Sequence, residues 1–252
     1  MTEHEKLIEN LAYLKMKEMS LHLDETVDFI NKNNLSFTEG LIKLTNYEID
    51  HKEASMINAM VKVGAFPHQK ELKDFDFTFQ ENINKEEILE FTSHRFIHQN
   101  ENIVFIGSSG VGKTHLSTSI GISAAKKIIS TYFIKCHDLI AQLKKAKLEN
   151  RLEDRLRHFT KYKLLIIDEL GYLPIEKEDS KLFFQLIDRR YERRSTIMTT
   201  NINFSSWDMI FMDPVIANAI LDRVLHHAHV IQITGRSFRL KEYYGEEDVV
   251  HY

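Results

Sequence analysis

The sequence predicts an α/β protein: a five-stranded parallel sheet covered by helices on both faces, preceded by a small all-α N-terminal domain. Three observations carry that prediction. Five short apolar runs, Ile103–Ile106, Thr131–Ile134, Leu164–Ile167, Thr196–Met198 and Val230–Ile233, alternate with amphipathic stretches, the pattern of strands buried between crossover helices. Three of the nine glycines, Gly107, Gly110 and Gly112, punctuate the passage from the first run to the next amphipathic stretch. The first sixty-odd residues carry helical spacing and no alternation of period two.

Taken in order, Leu7, Leu11 and Leu14 recur at helical spacing, as do Leu23, Val27 and Ile30. Ser36 followed three residues later by Glu39 is a capping-box signature. The helix it opens carries Leu41 and Leu44, then a Met56, Met60 and Val63 stripe read as core rather than as a binding groove. Gly64 and Pro67 end that run, giving a helical domain over 1–66. Within a linker over 67–83, Phe75, Phe77 and Phe79 alternate with polar residues, as in a half-buried extended segment. The α/β domain, 84–252, opens with a helix over Lys85–Gln99 that carries Ile88, Phe91 and Phe96 on one face. No internal repeat or low-complexity tract interrupts it.

Composition excludes several classes. At 43% hydrophobic and 28% charged residues, the 252-residue chain is too apolar for wholesale disorder. Cys136 is its only cysteine, which excludes an intramolecular disulfide and any cysteine-cluster site, and points to a reducing, cytoplasmic setting. No stretch approaches the ~18–20 apolar residues of a membrane span, and the polar start MTEHEK is not a signal peptide. The net charge of −4 is unevenly spread: residues 1–90 hold 10 Lys/Arg against 18 Asp/Glu, while residues 91–252 hold 23 against 19. A basic larger domain behind an acidic smaller one is a first indication about partners.

The glycine-rich turn reads Gly107-Ser108-Ser109-Gly110-Val111-Gly112-Lys113-Thr114, followed by His115, and matches G-x-x-x-x-G-K-[ST]. A flexible turn between strand and helix would also be glycine-rich. Its place after the strand Ile103–Ile106 and before a helix with Leu116, Ile120 and Ala124 favours a phosphate cradle. Glycines let successive backbone N–H groups converge on phosphate oxygens. Lys113 would reach the β- and γ-phosphates of ATP, and Thr114 would offer its hydroxyl to Mg²⁺. The run Lys163-Leu-Leu-Ile-Ile-Asp168-Glu169 then delivers two acids at a strand's C-terminal end, where open α/β sheets place ligands. Asp168 would hold Mg²⁺ through its water shell, and Glu169 would deprotonate an attacking water. The bland alternative is an acidic strand end capped by solvent. A third strand ends at Asn201, a turn residue by type that in this order would hold the water in line.

These motifs, in this order, resemble an AAA+ P-loop ATPase. Leu164-Leu-Ile-Ile-Asp-Glu-Leu-Gly-Tyr-Leu-Pro174, Leu182-Phe-Phe-Gln-Leu-Ile-Asp-Arg-Arg-Tyr-Glu-Arg193, Asp213-Pro214 and Ala219-Ile-Leu-Asp-Arg-Val-Leu-His-His227 narrow the match. They resemble the IstB-like transposition helper ATPases, relatives of the DnaC helicase loader, densely from about Leu72 to Leu240 and more loosely before. The resemblance implies a homo-oligomer that assembles with ATP on double-stranded DNA and serves its element's transposase. It also implies an arginine supplied in trans, at the position of Arg223, although a surface pair with Asp222 or Glu192 is the alternative. Arg189, Arg190, Arg193 and Arg194 crowd one helix end and read as surface charge facing DNA or an interface. With 19 residues after the last strand, no C-terminal lid is expected.

In the clade to which the resemblance points, Ala141–Lys163 lies where an inserted helical element tracks DNA. Its Lys144, Lys145, Lys147, Arg151, Arg155, Arg157, Lys161 and Lys163 would make sequence-independent phosphate contacts, unless they form a solvated helix face with internal ion pairs. One departure stands out: Glu48–Gly64 lacks the family's arginines, which shifts the N-terminal domain towards the transposase or self-association. His226-His227-Ala-His229 is the densest histidine cluster. Neither helical nor strand spacing directs all three to one centre and no carboxylate–His pattern flanks them, so no metal is expected there. A DnaC-like helicase loader and, more distantly, a P-loop small-molecule kinase are the rival readings.

Overall fold

All five apolar runs become strands in the computed structural model, which describes residues 1–80 and 82–243. The chain divides into two units, Met1–Ala59 and Met60–Tyr252.

The first unit consists of α1 (Glu3–Tyr13), α2 (Lys17–Leu21), α3 (Leu23–Asn33) and most of α4 (Phe37–Val63). The predicted capping box forms: the Ser36 N–H donates to a Glu39 carboxylate oxygen at 2.8 Å, and the Glu39 N–H donates to the Ser36 hydroxyl at 3.3 Å. The core is small, comprising Leu11, Met19, Leu23 and Leu44. Glu48 is buried because its carboxylate accepts from the Glu18 and Met19 N–H groups at the start of α2, where the helix dipole favours negative charge. The methionine stripe is not core. Met56 and Val63 are exposed and Met60 is half-buried, because α4 buries only Gly40, Leu44 and Glu48.

In the second unit, β1 (Asn102–Gly107), β2 (Thr131–Lys135), β3 (Leu164–Leu170), β4 (Ser195–Thr200) and β5 (Ala228–Ile233) form one parallel sheet in the order β2-β3-β4-β1-β5. The helices are α5 (Lys85–Glu90), α6 (Arg95–His98), α7 (Lys113–Lys126), α8 (Cys136–Leu148), α9 (Leu152–Thr160), α10 (Lys177–Arg190), α11 (Trp207–Phe211) and α12 (Pro214–Leu225). Two apolar clusters flank the sheet. One joins α8–α12 to Val104, Leu165, Ile167 and Met198, and the other joins α5–α7 to Ile103, Phe105, Ile166 and Ile197. Alternate residues of one strand thus serve opposite faces, as the pleat requires.

The helix expected over Lys85–Gln99 is interrupted. His94 takes a left-handed conformation (φ 61°), and its Nε2 lies 3.1 Å from the Ser123 hydroxyl. The apolar face still holds, with Ile88, Phe91 and Phe96 buried. The segment read as extended instead turns twice. Leu72–Asp74 is a 3-10 turn, and the Asp76 carboxylate then accepts from the Thr78 and Phe79 N–H groups, an aspartate-driven turn. Phe75 is buried by it, while Phe77 and Phe79 stay half-buried. After β5 the described residues contain one 3-10 segment, Phe238–Tyr243. Residues 244–252, the end of the stretch for which no lid is expected, lie outside the described residues.

Candidate nucleotide-binding site

The loop between β1 and α7 has a shape only glycine allows at two places. Gly110 and Gly112 take φ of 83° and 101°. A Cβ at Gly112 would fall 2.5 Å from the Phe75 ring, and one at Gly110 2.0 Å from the Ser237 hydroxyl, so dihedral and space both demand glycine. Val111 is buried and pins the loop to the core. Lys113 folds under it, its Nζ donating to the Gly107 and Ser108 carbonyls at 2.8 and 2.7 Å. Burial lowers the Lys113 pKa, with the Asp168 carboxylate opposing. His115 Nε2 lies 3.1 Å from the Glu71 carbonyl and its ring edges meet Phe75 and His68, so this residue secures the preceding segment. Ser109 lies 3.4 Å from the Tyr172 hydroxyl.

β3 brings the acids to this loop. Asp168 is fully buried. The Thr114 hydroxyl lies 3.0 Å from both its oxygens, and the Thr199 hydroxyl, on β4, donates to one of them. Burial raises the Asp168 pKa, while those two hydroxyls hold it back. A regular strand would point Glu169 to the opposite face. Here the β3–β4 register shifts between Ile167 and Leu170 and Glu169 takes φ 61°, a bulge that turns its side chain to the same mouth. The Glu169 N–H donates to the Thr199 hydroxyl at 3.0 Å, and Lys135 Nζ, at the end of β2, lies 3.0 Å from Glu169 Oε2. That ion pair raises the Lys135 pKa. The resulting cavity of about 480 Å³ is lined by Phe75, Gln80, Phe238 and the loop on one side and by Glu169 and Thr199 on the other.

The structure therefore brings together Gly107–His115, Asp168 and Glu169. Asn201 does not join them: it is exposed, one residue past β4, and is not part of the cavity wall. Arg223 also lies elsewhere. Its Nε donates to Asp188 at 2.7 Å and its guanidinium stands over the Phe184 ring, so its partner is neither Asp222 nor Glu192. Sequence reasoning missed Thr199 and Lys135. Lys135 is the register partner of Asp168, a cross-strand relation that sequence order does not display. Thr199 is a buried polar residue in a run of small polar ones.

Beyond the cavity, the basic stretch 141–163 is partly neutralised. Lys144 pairs with Glu176 and Asp179, Arg151 with Glu149 and Arg157 with Asp154. Arg157, Arg189, Arg193 and Arg194 line one open cleft with Glu153. Arg190 is not surface charge. It is wholly buried, donating to the carbonyls of Phe159, Tyr162 and Ser195 and to the Thr196 hydroxyl. Burial lowers its pKa to about 9, so it stays cationic at neutral pH.

The strand order, with a phosphate loop after β1 and paired acids ending β3, defines an AAA+ P-loop protein. The chain belongs to the family of IstB-like ATP binding proteins, whose model matches residues 9–244. It is 66% identical over 245 residues to the ATP-binding protein of insertion sequence IS232 from Bacillus thuringiensis subsp. berliner, covering 97% of this chain and 98% of that one. Among solved structures, that of DnaI is similar with a TM-score of 0.56 and 22% identity, over 70% of this chain and 94% of that chain. AMPPCP-bound DnaA from Aquifex aeolicus is similar with a TM-score of 0.56 and 17% identity, over 67% and 51% of the two chains. Among the described residues, no helix is long and apolar enough to cross a membrane.

Proposed function

We propose that this chain is an Mg²⁺-dependent ATPase that assembles as a homo-oligomer on double-stranded DNA in the cytoplasm and serves the transposase of its insertion element. The observation that carries this reading is the convergence of Thr114, Asp168, Thr199 and Glu169 beside the phosphate loop. The donor set is all oxygen, with a buried carboxylate and a hydroxyl already in contact, which suits Mg²⁺. Bound there, Mg²⁺ would neutralise charge on the β- and γ-phosphates.

The chain's own groups do the rest. Backbone N–H groups from Gly110 to Thr114 take the phosphates, aided by the start of α7. Lys113 exchanges its two loop carbonyls for phosphate oxygens. Glu169 accepts the proton of the attacking water, and Thr199 fixes both acids relative to each other. Asn201, one residue past β4 and outside the cavity wall of the empty protein, is the proposed positioner of that water, a role that requires it to turn inward when nucleotide binds. Phe75 and Phe238 offer apolar walls to the base. Arg223 is not part of the wall of its own cavity, as a group that acts on a neighbour's γ-phosphate must not be, and in that role it would exchange its Asp188 partner for the phosphate. The cleft of Arg157, Arg189, Arg193 and Arg194 is the proposed contact for duplex phosphates. The 66% identical relative belongs to an insertion sequence, which favours a transposase over a helicase as client.

Steady-state ATPase rates with and without duplex DNA test the reading. Glu169→Gln should keep ATP binding and lose turnover by about 10²–10⁴-fold. Arg223→Ala and Lys113→Ala, each inactive alone, should recover activity when mixed, because a hybrid interface pairs an intact loop with an intact arginine. Undiminished hydrolysis in Glu169→Gln removes the proposed base, and no recovery at any mixing ratio of assembled variants removes the arginine's role in trans.

A further inference from the structure

At the start of β5, far along the chain from the phosphate loop, three side chains that bind metals well converge. Glu192 stands in the turn between α10 and β4 in a left-handed conformation (φ 56°). His226 caps α12, and His227 leads into β5. One Glu192 oxygen, Oε1, lies 3.7 Å from His226 Nδ1 and 3.6 Å from His227 Nε2. The two rings are 3.9 Å apart between centroids and tilted by 38°, so neighbouring residues that could point apart instead turn their nitrogens to one carboxylate. The Tyr191 hydroxyl lies 2.6 Å from that same His226 Nδ1, so an ion that takes this nitrogen's lone pair replaces the tyrosine contact and leaves the hydroxyl to solvent.

We propose that Glu192, His226 and His227 bind one first-row transition dication of the Zn²⁺ type. The three ligand atoms lie within 4.8 Å of one another. Tetrahedral ligands with bonds of about 2.0–2.2 Å stand roughly 3.4 Å apart, so each exposed side chain needs to move by about 1 Å. Two imidazoles and a carboxylate select Zn²⁺, Ni²⁺ or Cu²⁺ over Mg²⁺, which takes oxygen. His229 is not a ligand: its Nε2 lies 3.0 Å from Glu101 and its ring meets Phe91 edge-on. Water completes the sphere on the open side. An ion here ties the end of α12 to the turn after α10, clasping the helices that carry Arg223 and its partner Asp188.

The test is a Co²⁺ titration of the full chain without nucleotide, in excess Mg²⁺ to occupy oxygen sites, followed by visible absorption and by displacement with Zn²⁺. One Co²⁺ per chain is expected, released by equimolar Zn²⁺. His227→Ala and Glu192→Gln should each weaken binding at least tenfold, with folding checked by circular dichroism. His137→Ala, which alters a histidine outside the cluster, should leave binding unchanged. Equal uptake by a His226→Ala/His227→Ala double variant overturns the proposal. So does a Glu192→Gln variant that binds as wild type, since that leaves only an adventitious histidine pair.

Discussion

The two ends of one sheet are built on different plans. At the C-terminal ends of the strands, the polar groups come from short consecutive runs: the loop Gly107–Thr114, the pair Asp168-Glu169, and Thr199. At the N-terminal ends they are gathered from distant segments. Arg190 reaches carbonyls ahead of β3 and at the start of β4, Arg223 reaches Asp188, and Glu192 reaches His226 and His227. A phosphate cradle needs backbone N–H groups in register, so its residues must be neighbours in sequence. A buried cation capping carbonyls has no such requirement. It needs only acceptors that tertiary packing brings within reach.

The largest effect should come from breaking the second plan at Arg190. Arg190→Met keeps most of the volume but leaves three buried carbonyls and a hydroxyl without their donor. Each unpaired polar group costs on the order of 1–3 kcal/mol, so a loss of about 3 kcal/mol or more in urea unfolding is expected. Arg189→Met, which removes an exposed pair with Glu153, should cost less than about 1 kcal/mol. Equal losses in the two variants would show that burial at this end does not set it apart from surface charge.

The first plan can be sharpened through Asp168. Burial raises its pKa, so the ionised acid works against folding at neutral pH, and that cost is relieved as pH falls through the raised value. Nucleotide binding runs the other way, because the metal needs the carboxylate. Affinity for Mg²⁺·ATP should drop about tenfold per pH unit below that pKa, starting at a higher pH than the ordinary aspartate value of about 3.9. Over the same range the melting temperature of the empty protein should rise relative to Asp168→Asn. A melting temperature that tracks Asp168→Asn over that range would mean that the acid is not desolvated at this end, and an affinity that does so would mean that the metal does not use it.

The same contrast explains what sequence reading reached. All five strands were legible, because each is a continuous apolar run, and so were the loop and the acid pair. The helix break at His94 was not, because a left-handed residue and a contact with Ser123 29 positions away leave no local sign. Arg190 looked like its neighbours Arg189 and Arg193, since burial depends on Phe159 and Tyr162 from another helix end. The histidine pair was visible, but its carboxylate lies 34 positions earlier in the chain. The methionine stripe of α4 has core periodicity yet lies beyond the stretch that α1–α3 cover.

The smallest effect tests whether the C-terminal end also depends on a tertiary contact. Lys135 comes from β2, and its pair with Glu169 is part-exposed, at 41% and 27% for the two side chains. Such a pair is worth up to about 1 kcal/mol. If it holds the Glu169 carboxylate away from the attacking water, Lys135→Met frees the base and raises kcat by no more than about fivefold. ATP binding should not change, because Lys135 is not part of the cavity wall. A fall in kcat would assign Lys135 the opposite role, holding Glu169 in its working position. The acid pair would then rely on a distant strand as Arg190 does, and the distinction between the two ends would hold for the phosphate loop alone.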